Sequence, residues 1–173
     1  MQEAPHARDV IGNRGRGVVI SIATLNILVI LDRITKYTFI NNPALRGKFF
    51  LGGTLQTIEH RNYGIIANIP IPFAGIMIAT FAAIALIGFG LLRAWREKSM
   101  RMAFPLLLIL GGAIGNLWDR IQYGYVYDWI LLFGRSAINI ADAAIFIGII
   151  LYVVGQKNTK STTGAIDSIP KTT

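Results

Sequence analysis

The sequence contains no cysteine, which excludes disulfide bonds, thiolate nucleophiles and cysteine-ligated metal centres. Its only two histidines, His6 and His60, lie far apart without ligand spacing, so we expect no metal site and no cofactor. Acidic residues are also few: nine Asp and Glu against 17 Lys and Arg give a net charge of +8. Because the basic residues lie between apolar runs and form no continuous face, nucleic acid is not an expected partner.

What the chain has in quantity is hydrophobicity, since 53% of its 173 residues are hydrophobic. They concentrate in four runs, at residues 18–31 with a mixed extension to 40, at 70–92, at 103–118 and at 137–154. A spanning helix needs about 20 mostly apolar residues. The second run reaches that length alone, and the others reach it by including polar residues at one end. The sequence therefore predicts an all-α membrane protein with four transmembrane helices in one compact unit.

Lysine and arginine concentrate at both chain ends and in the loop after the second run. By the positive-inside rule, both termini then lie in the cytoplasm, and the other two connections lie outside. Residues 1–17 and 155–173 are predicted to be cytoplasmic tails, the second flexible because it is rich in Ser, Thr and Lys. Residues 41–69 contain Phe- and Thr-rich stretches around a Gly-Gly pair, which predicts a small extracytoplasmic β or loop element between helices 1 and 2.

With this orientation, polar residues gather near the outer ends of the helices. The cluster comprises Asp32 and Lys36 of the first helix, Asn62 before the second, Asn116, Asp119 and Arg120 of the third, Asp128 in the outer loop, and Asn139 and Asp142 of the fourth. An ionisable group at such depth costs several kcal/mol, roughly 3 on insertion scales, unless it is paired or hydrated. A cluster of them therefore indicates a functional site.

Asp128 and Asp142 are the carboxylates best suited to catalysis, because neither has a basic residue at helical spacing. Two facing carboxylates share one proton near neutral pH. The ionised carboxylate then activates a water molecule while its protonated partner polarises a carbonyl group. The pair predicts peptide hydrolysis of the aspartic type, without a metal or a covalent intermediate.

Structural roles compete with this interpretation. Asp142 lies almost at the start of a helix, where an aspartate is equally often a simple cap. Asp32 and Lys36 have i,i+4 spacing and are expected to pair on one helix face. Asp119 is expected to form a structural ion pair with the adjacent Arg120.

Glycines and aromatic residues of the same region also have structural interpretations. Gly111 and Gly115 form a small-xxx-small pattern, which is expected to bring the third and fourth helices together. Aromatic residues near the outer interface are expected to form an interfacial belt. They are Trp118, Tyr123, Tyr125, Tyr127 and Trp129.

Three other functions remain open from the residues alone. A serine mechanism would need Ser136 next to Lys36, and nothing in the sequence brings them together. A small proton-coupled transporter would use the buried acids, but such proteins usually place them at the midplane and show repeats. A non-catalytic membrane scaffold would leave the outer polar cluster unexplained.

Five short motifs in this order resemble bacterial lipoprotein signal peptidase, also called signal peptidase II. They are DRITK at residues 32–36, NYG at 62–64, GGAIGNLWDR at 111–120, GYVYD at 124–128 and NIAD at 139–142. The resemblance covers about residues 18–154. Two departures are Ile65-Ile66, where the family commonly has small residues, and Ile138, where it commonly has an aromatic residue.

The resemblance implies a four-helix aspartic endopeptidase of the bacterial inner membrane, with its site near the outer leaflet. Its substrates would be prolipoproteins carrying a diacylglyceryl cysteine, cut on the N-terminal side of that cysteine, with membrane lipids as neighbours. Asp128 and Asp142 would be the catalytic dyad. The motif positions assigned to substrate contact or site support are Asn116, Arg120, Asn139, Asn62, Gly64, Gly112, Asp119, Asp32 and Lys36. Residues 41–69 would form an outer cradle with a lid-like element.

Overall fold

The computed structural model describes the backbone of residues 7–64 and 71–167 and the side chains of residues 19–64 and 71–156. Ile65, Ile66 and the ends of both predicted tails lie outside these ranges. The described elements are the helices α1 (Ala7–Asn41), α2 (Phe73–Arg96), α3 (Met100–Tyr123) and α4 (Ile140–Asp167), and the strands β1 (Phe49–Phe50), β2 (Leu55–Asn62), β3 (Val126–Leu132) and β4 (Ser136–Ile138).

Helix α3 is the centre of the fold, because α1, α2 and α4 all pack against it. At the end near the α2–α3 turn, apolar side chains of these two helices form a core cluster. It consists of Leu91, Ala94, Ala103, Leu106 and Leu107. At the other end, α3 stops at Gly124, which caps the helix in the left-handed conformation with φ 78°. The chain then turns directly into β3.

Glycines allow α3 to approach two helices at once. A Cβ on Gly112 would lie 2.3 Å from the carbonyl oxygen of Ala141 in α4. A Cβ on Gly111 would instead meet Leu28 of α1, and one on Gly115 would meet both Asp32 of α1 and Ala141. The prediction that Gly111 joins α3 to α4 is therefore wrong: it faces α1, because adjacent helix positions point about 100° apart.

The strands form one antiparallel sheet in the order β1-β2-β3-β4. Strands β1 and β2 confirm the prediction of a β element between helices 1 and 2. The description as all-α with β structure only there is wrong, because the connection between α3 and α4 supplies β3 and β4. Residues 126–132 read VYDWILL, and such β-branched and aromatic residues favour a strand. This strand places Asp128 beside the end of β2.

Among the residues with described side chains, two helices, α2 and α3, are long and apolar enough to cross a membrane, and their apolar stretches have mean hydropathies of 2.3 and 1.5. The part of α4 with described side chains, Ile140–Gln156, is apolar but shorter. Four spanning helices therefore remain a prediction. The helical backbone also extends beyond the predicted runs, to Ala7 in α1 and Asp167 in α4. The assignment of both chain ends as cytoplasmic tails likewise remains a prediction.

Candidate active site

The start of α4 is fixed by a reciprocal pair of hydrogen bonds between Asn139 and Asp142. The backbone N–H of Asp142 donates to Oδ1 of Asn139 at 2.9 Å, and the backbone N–H of Asn139 donates to Oδ2 of Asp142 at 3.2 Å. Each side chain thus satisfies a backbone donor that the first helical turn leaves free, which is the geometry of a capping box. Asp142 therefore has the capping role that its position suggested, and the cap holds its carboxylate in one orientation.

Asp128 lies in β3 and is fully buried. Its Oδ1 accepts a hydrogen bond from Nδ2 of Asn139 at 2.6 Å, and its Oδ2 accepts one from Nδ2 of Asn62 at 3.2 Å. Asn62 is the last residue of β2 and pairs with Val126, which lies two residues before Asp128 in β3, so its side chain is close to Asp128. Burial, followed by the charge of Asp142, raises the pKa of Asp128 to about 7, so both protonation states are populated near neutral pH.

The second carboxylate, Asp142, is half-buried and accepts a hydrogen bond on Oδ1 from Nδ2 of Asn116 at 2.7 Å. The amide oxygen of Asn116 in turn accepts hydrogen bonds from Nδ2 of Asn139 at 3.2 Å and from Nζ of Lys36 at 3.3 Å. Asn139 therefore contacts both aspartates, through its side chain to Asp128 and its backbone to Asp142. One asparagine thus couples the positions of the two carboxylates.

Behind Asn116 lies a charge cluster formed by Asp32, Arg33, Lys36 and Asp119. Nζ of Lys36 lies 2.9 Å from Oδ2 of Asp32 and 2.7 Å from Oδ2 of Asp119. The guanidinium of Arg33 contacts the same two carboxylates, with Asp32 at 2.5 Å. The i,i+4 pairing of Asp32 with Lys36 is confirmed.

The predicted ion pair between Asp119 and Arg120 is wrong, since Asp119 pairs with Arg33 and Lys36 instead. Sequence neighbours on a helix point in different directions, so Asp119 faces α1 while Arg120 faces Gly64, just after β2. NH2 of Arg120 donates to the backbone oxygen of Gly64 at 3.2 Å, and the N–H of Gly64 donates to Oδ1 of Asn62 at 3.0 Å. Arg120 thus fixes the chain next to Asn62.

A cavity of about 410 Å³ opens beside these residues. Its walls come from β2, α2, α3, β3 and α4. The lining residues are Asn62, Ala79, Thr80, Ala83, Ala113, Asn116, Arg120, Val126, Asp142 and Ile145. Asp142 lines the cavity. Asp128 is buried and is hydrogen-bonded to Asn139 and to Asn62, which also lines the cavity. The small side chains of α2 leave room for a ligand between α2 and α4.

Two further predictions concern the aromatic belt and the serine mechanism. Tyr127 is 2% exposed, so the aromatic-belt prediction is wrong for it, whereas Trp118 at 55% and Tyr123 at 47% are exposed. Ser136 is exposed on β4 and Lys36 is held by two carboxylates, so this arrangement does not support a serine mechanism.

Two features of the site were missed at the level of sequence. The first is Arg33, which binds both Asp32 and Asp119. A count of charges would have indicated it, because two buried acids need two bases and Lys36 supplies only one. The second is the contribution of α2 to the cavity through Ala79, Thr80 and Ala83, for which small residues in an apolar run give no distinctive signal.

A model of the family described as signal peptidase (SPase) II matches residues 24–156 of this chain. Among curated proteins, the lipoprotein signal peptidase of Syntrophus aciditrophicus (strain SB) is 33% identical over 150 residues, which are 79% of this chain and 91% of that protein. The lipoprotein signal peptidase of Shewanella amazonensis is 37% identical over 144 residues, covering 78% of this chain and 85% of that protein.

The fold is also similar to a solved structure of a bacterial membrane enzyme obtained by the in meso method at 2.3 Å resolution. The TM-score is 0.70 at 26% sequence identity, and the match covers 90% of this chain and 95% of the solved chain. The similarity therefore extends over the helices and the sheet together.

Proposed function

Since the chain belongs to the signal peptidase II family, it is a bacterial membrane protein that removes signal peptides from lipoproteins, and we propose that Asp128 and Asp142 perform the hydrolysis. The observation that carries this proposal is the bridge formed by Asn139, whose amide donates to Asp128 while its backbone donates to Asp142. Because Asp142 also lines the cavity, a bound peptide there would meet one member of the pair.

The chemistry follows from a proton shared by two carboxyl groups. The ionised carboxylate removes a proton from a water molecule, whose oxygen attacks the carbonyl carbon of the peptide bond. The protonated carboxyl group gives its proton to the carbonyl oxygen, which yields a tetrahedral intermediate. When the intermediate collapses, the C–N bond breaks and the leaving nitrogen takes up a proton from the dyad. A pKa of about 7 for Asp128 supports proton sharing at neutral pH.

The neighbouring residues have supporting roles in this proposal. Asn116 and Asn139 orient the carboxylates through the hydrogen bonds described above. Arg120 and Asn62 line the cavity, and Arg120 offers further donors toward the backbone of an extended substrate. Gly112 lets α4 approach α3, which sets the distance between Asp142 and Asn116.

We infer that the substrate is a prolipoprotein with a diacylglyceryl cysteine, cut on the N-terminal side of that cysteine. In this account all four helices span the membrane, both termini are cytoplasmic and the site lies near the outer leaflet. A lipid anchor at that depth confines the substrate to the plane of the site, which lowers the entropic cost of positioning the scissile bond. A cavity lined by both α2 and α4 supports entry of such a substrate from the side, between these two helices.

The alternative of a small proton-coupled transporter has no observation in its favour. A carrier would be expected to hold its ionisable groups near the middle of the spanning helices. In the described residues, Asp119 and Asp142 instead lie near the ends of α3 and α4 that adjoin the sheet.

The direct test is a cleavage assay with the purified chain in detergent. Two peptides of identical sequence are compared, one with a diacylglyceryl cysteine and one with an unmodified cysteine, and mass spectrometry identifies the products. We expect a cut before the lipidated cysteine, inhibition by a hydroxyl-containing peptide mimic, and no effect of serine-acylating reagents. Absence of cleavage of the lipidated peptide, or equal cleavage of both peptides, would contradict the proposal.

A further inference from the structure

Arg33 belongs to the charge cluster next to the proposed dyad, and its positive charge balances that cluster. Its guanidinium contacts Asp32 at 2.5 Å and also contacts Asp119, and its NH2 donates to the backbone oxygen of Gly115 at 3.2 Å. Lys36 contacts the same two aspartates from the other side. Two acids and two bases therefore sum to a net charge of zero.

This balance matters because the cluster is buried. The side chains of Asp32, Lys36 and Asp119 are at most 2% exposed, and that of Arg33 is 23% exposed. A charge left unpaired in such surroundings is weakly screened and acts over a longer distance than one in water. Removal of the Arg33 charge would leave Lys36 alone between two aspartates and give the cluster one net negative charge.

The cluster is connected to the dyad by a short chain of hydrogen bonds. Nζ of Lys36 donates to Oδ1 of Asn116, and Nδ2 of Asn116 donates to Oδ1 of Asp142. On the opposite side, Oδ1 of Asp32 accepts the backbone N–H of Ala141, the residue before Asp142. Both the position and the electrostatic environment of the dyad therefore depend on this cluster.

We propose, on the basis of the function proposed above, that Arg33 is a positioning residue whose charge neutralises the Asp32–Lys36–Asp119 cluster and thereby sets the pH range in which the dyad works. If Arg33 served only to hold α1 against α3, its hydrogen bonds would matter but the charge it adds to the cluster would not. The two roles are thus separable by charge-changing variants.

Other titratable groups adjoin the dyad and are unchanged in this comparison. In the described residues, they are Arg120 of α3, Tyr127 of β3 and His60 of β2. His60 lies opposite Asp128 in the pairing of β2 with β3. Because these groups are common to all variants, differences between their pH profiles report on the cluster alone.

The test measures kcat/KM for a diacylglyceryl-cysteine peptide as a function of pH. In Arg33→Gln the negative cluster favours protonation of the dyad, so we expect the bell-shaped profile to move to higher pH by roughly half a unit or more. Asp119→Asn leaves one net positive charge and should move the profile to lower pH. The double variant restores neutrality and should return the profile toward that of the unmodified chain, as Arg33→Lys should preserve it.

Arg46→Gln is the control, because Arg46 is similarly exposed at 30% and its ion-pair partner is Glu59 of β2, which is not a member of the cluster. Its profile should not move. The inference is overturned if Arg33→Gln lowers activity or thermal stability without moving the profile, or if the double variant shifts further than either single one. If Arg33→Gln does not fold, an unmoved profile in Asp119→Asn overturns it equally. Cleavage by the unmodified chain tests the proposed function, and the order of the profiles tests the role of Arg33.

Discussion

Nδ2 of Asn139 lies 2.6 Å from Oδ1 of Asp128, although the two residues belong to different elements, the start of α4 and the strand β3. The same asparagine caps α4 through its Oδ1, which accepts the backbone N–H of Asp142. A single side chain therefore serves helix stability with its oxygen and the buried carboxylate with its nitrogen.

This division predicts different effects for two substitutions of Asn139. Asn139→Ser retains an oxygen that can cap the helix but removes the donor to Asp128, whereas Asn139→Ala removes both. A cap is worth about 1 kcal/mol. A hydrogen bond to a charged group is worth about 1.5–3 kcal/mol, or about 10- to 100-fold in rate.

We therefore expect both Asn139 variants to lose about 10- to 100-fold in kcat, and only Asn139→Ala to lose thermal stability as well. Thermal unfolding in detergent and steady-state kinetics measure the two effects separately. Full activity of Asn139→Ser would show that its contact with Asp128 has no part in catalysis.

The close contact at Gly112 predicts a large effect of one methyl group. A Cβ there would lie 2.3 Å from the carbonyl oxygen of Ala141 and 2.7 Å from Cγ1 of Ile145, so Gly112→Ala must push α4 away from α3. We expect a lower thermal midpoint and reduced cleavage, because Asp142 moves with α4.

Gly88→Ala is the control for this prediction, since Gly88 is also in a helix, α2, and has nothing within 4 Å of its Cβ position. Alanine favours helices over glycine by about 1 kcal/mol, so Gly88→Ala should be neutral or slightly stabilising. Equal effects of the two substitutions would mean that helix propensity, not contact, determines the result.

The raised pKa of Asp128 predicts how stability depends on pH. The native state holds a proton on this carboxyl up to about pH 7, whereas the unfolded chain loses it near 3.8. The native state thus binds more protons in this window, so the free energy of unfolding contributed by Asp128 falls as pH rises. Each unit of difference between the native and unfolded pKa values corresponds to about 1.4 kcal/mol. The free energy of unfolding therefore falls by at most about 4 kcal/mol across this pH window.

Thermal midpoints measured from pH 5 to 8 check this sign. The midpoint of the unmodified chain should fall more steeply with pH than that of Asp128→Asn, which cannot ionise at this position. Parallel curves for the two proteins would contradict a raised pKa at Asp128.

The sequence predicted well those features that depend on local spacing. The apolar runs located the four helices, and the i,i+4 spacing located the pair of Asp32 and Lys36. Each of these patterns is carried by residues within one or two helical turns, so no knowledge of the fold was needed.

Features that depend on contacts between distant segments could not be predicted in this way. Asp119 pairs with Lys36 and with Arg33, which is 86 residues away, and not with the adjacent Arg120. Strand β3 was overlooked because it pairs with β2, which lies in a different connection, the one between α1 and α2. The faces of Gly111 and Gly112 depend on how α3 rotates against two helices at once, which spacing within α3 does not determine.

The most direct test of the account is the cleavage rate of the lipidated peptide by Asp128→Asn and Asp142→Asn. Both should lose at least about 100-fold in kcat, as expected for a general acid or base, while unfolding cooperatively like the unmodified chain. Glu59→Gln, which removes a carboxylate from strand β2, should retain full activity. Normal turnover by either aspartate variant, in a folded protein, would contradict the dyad.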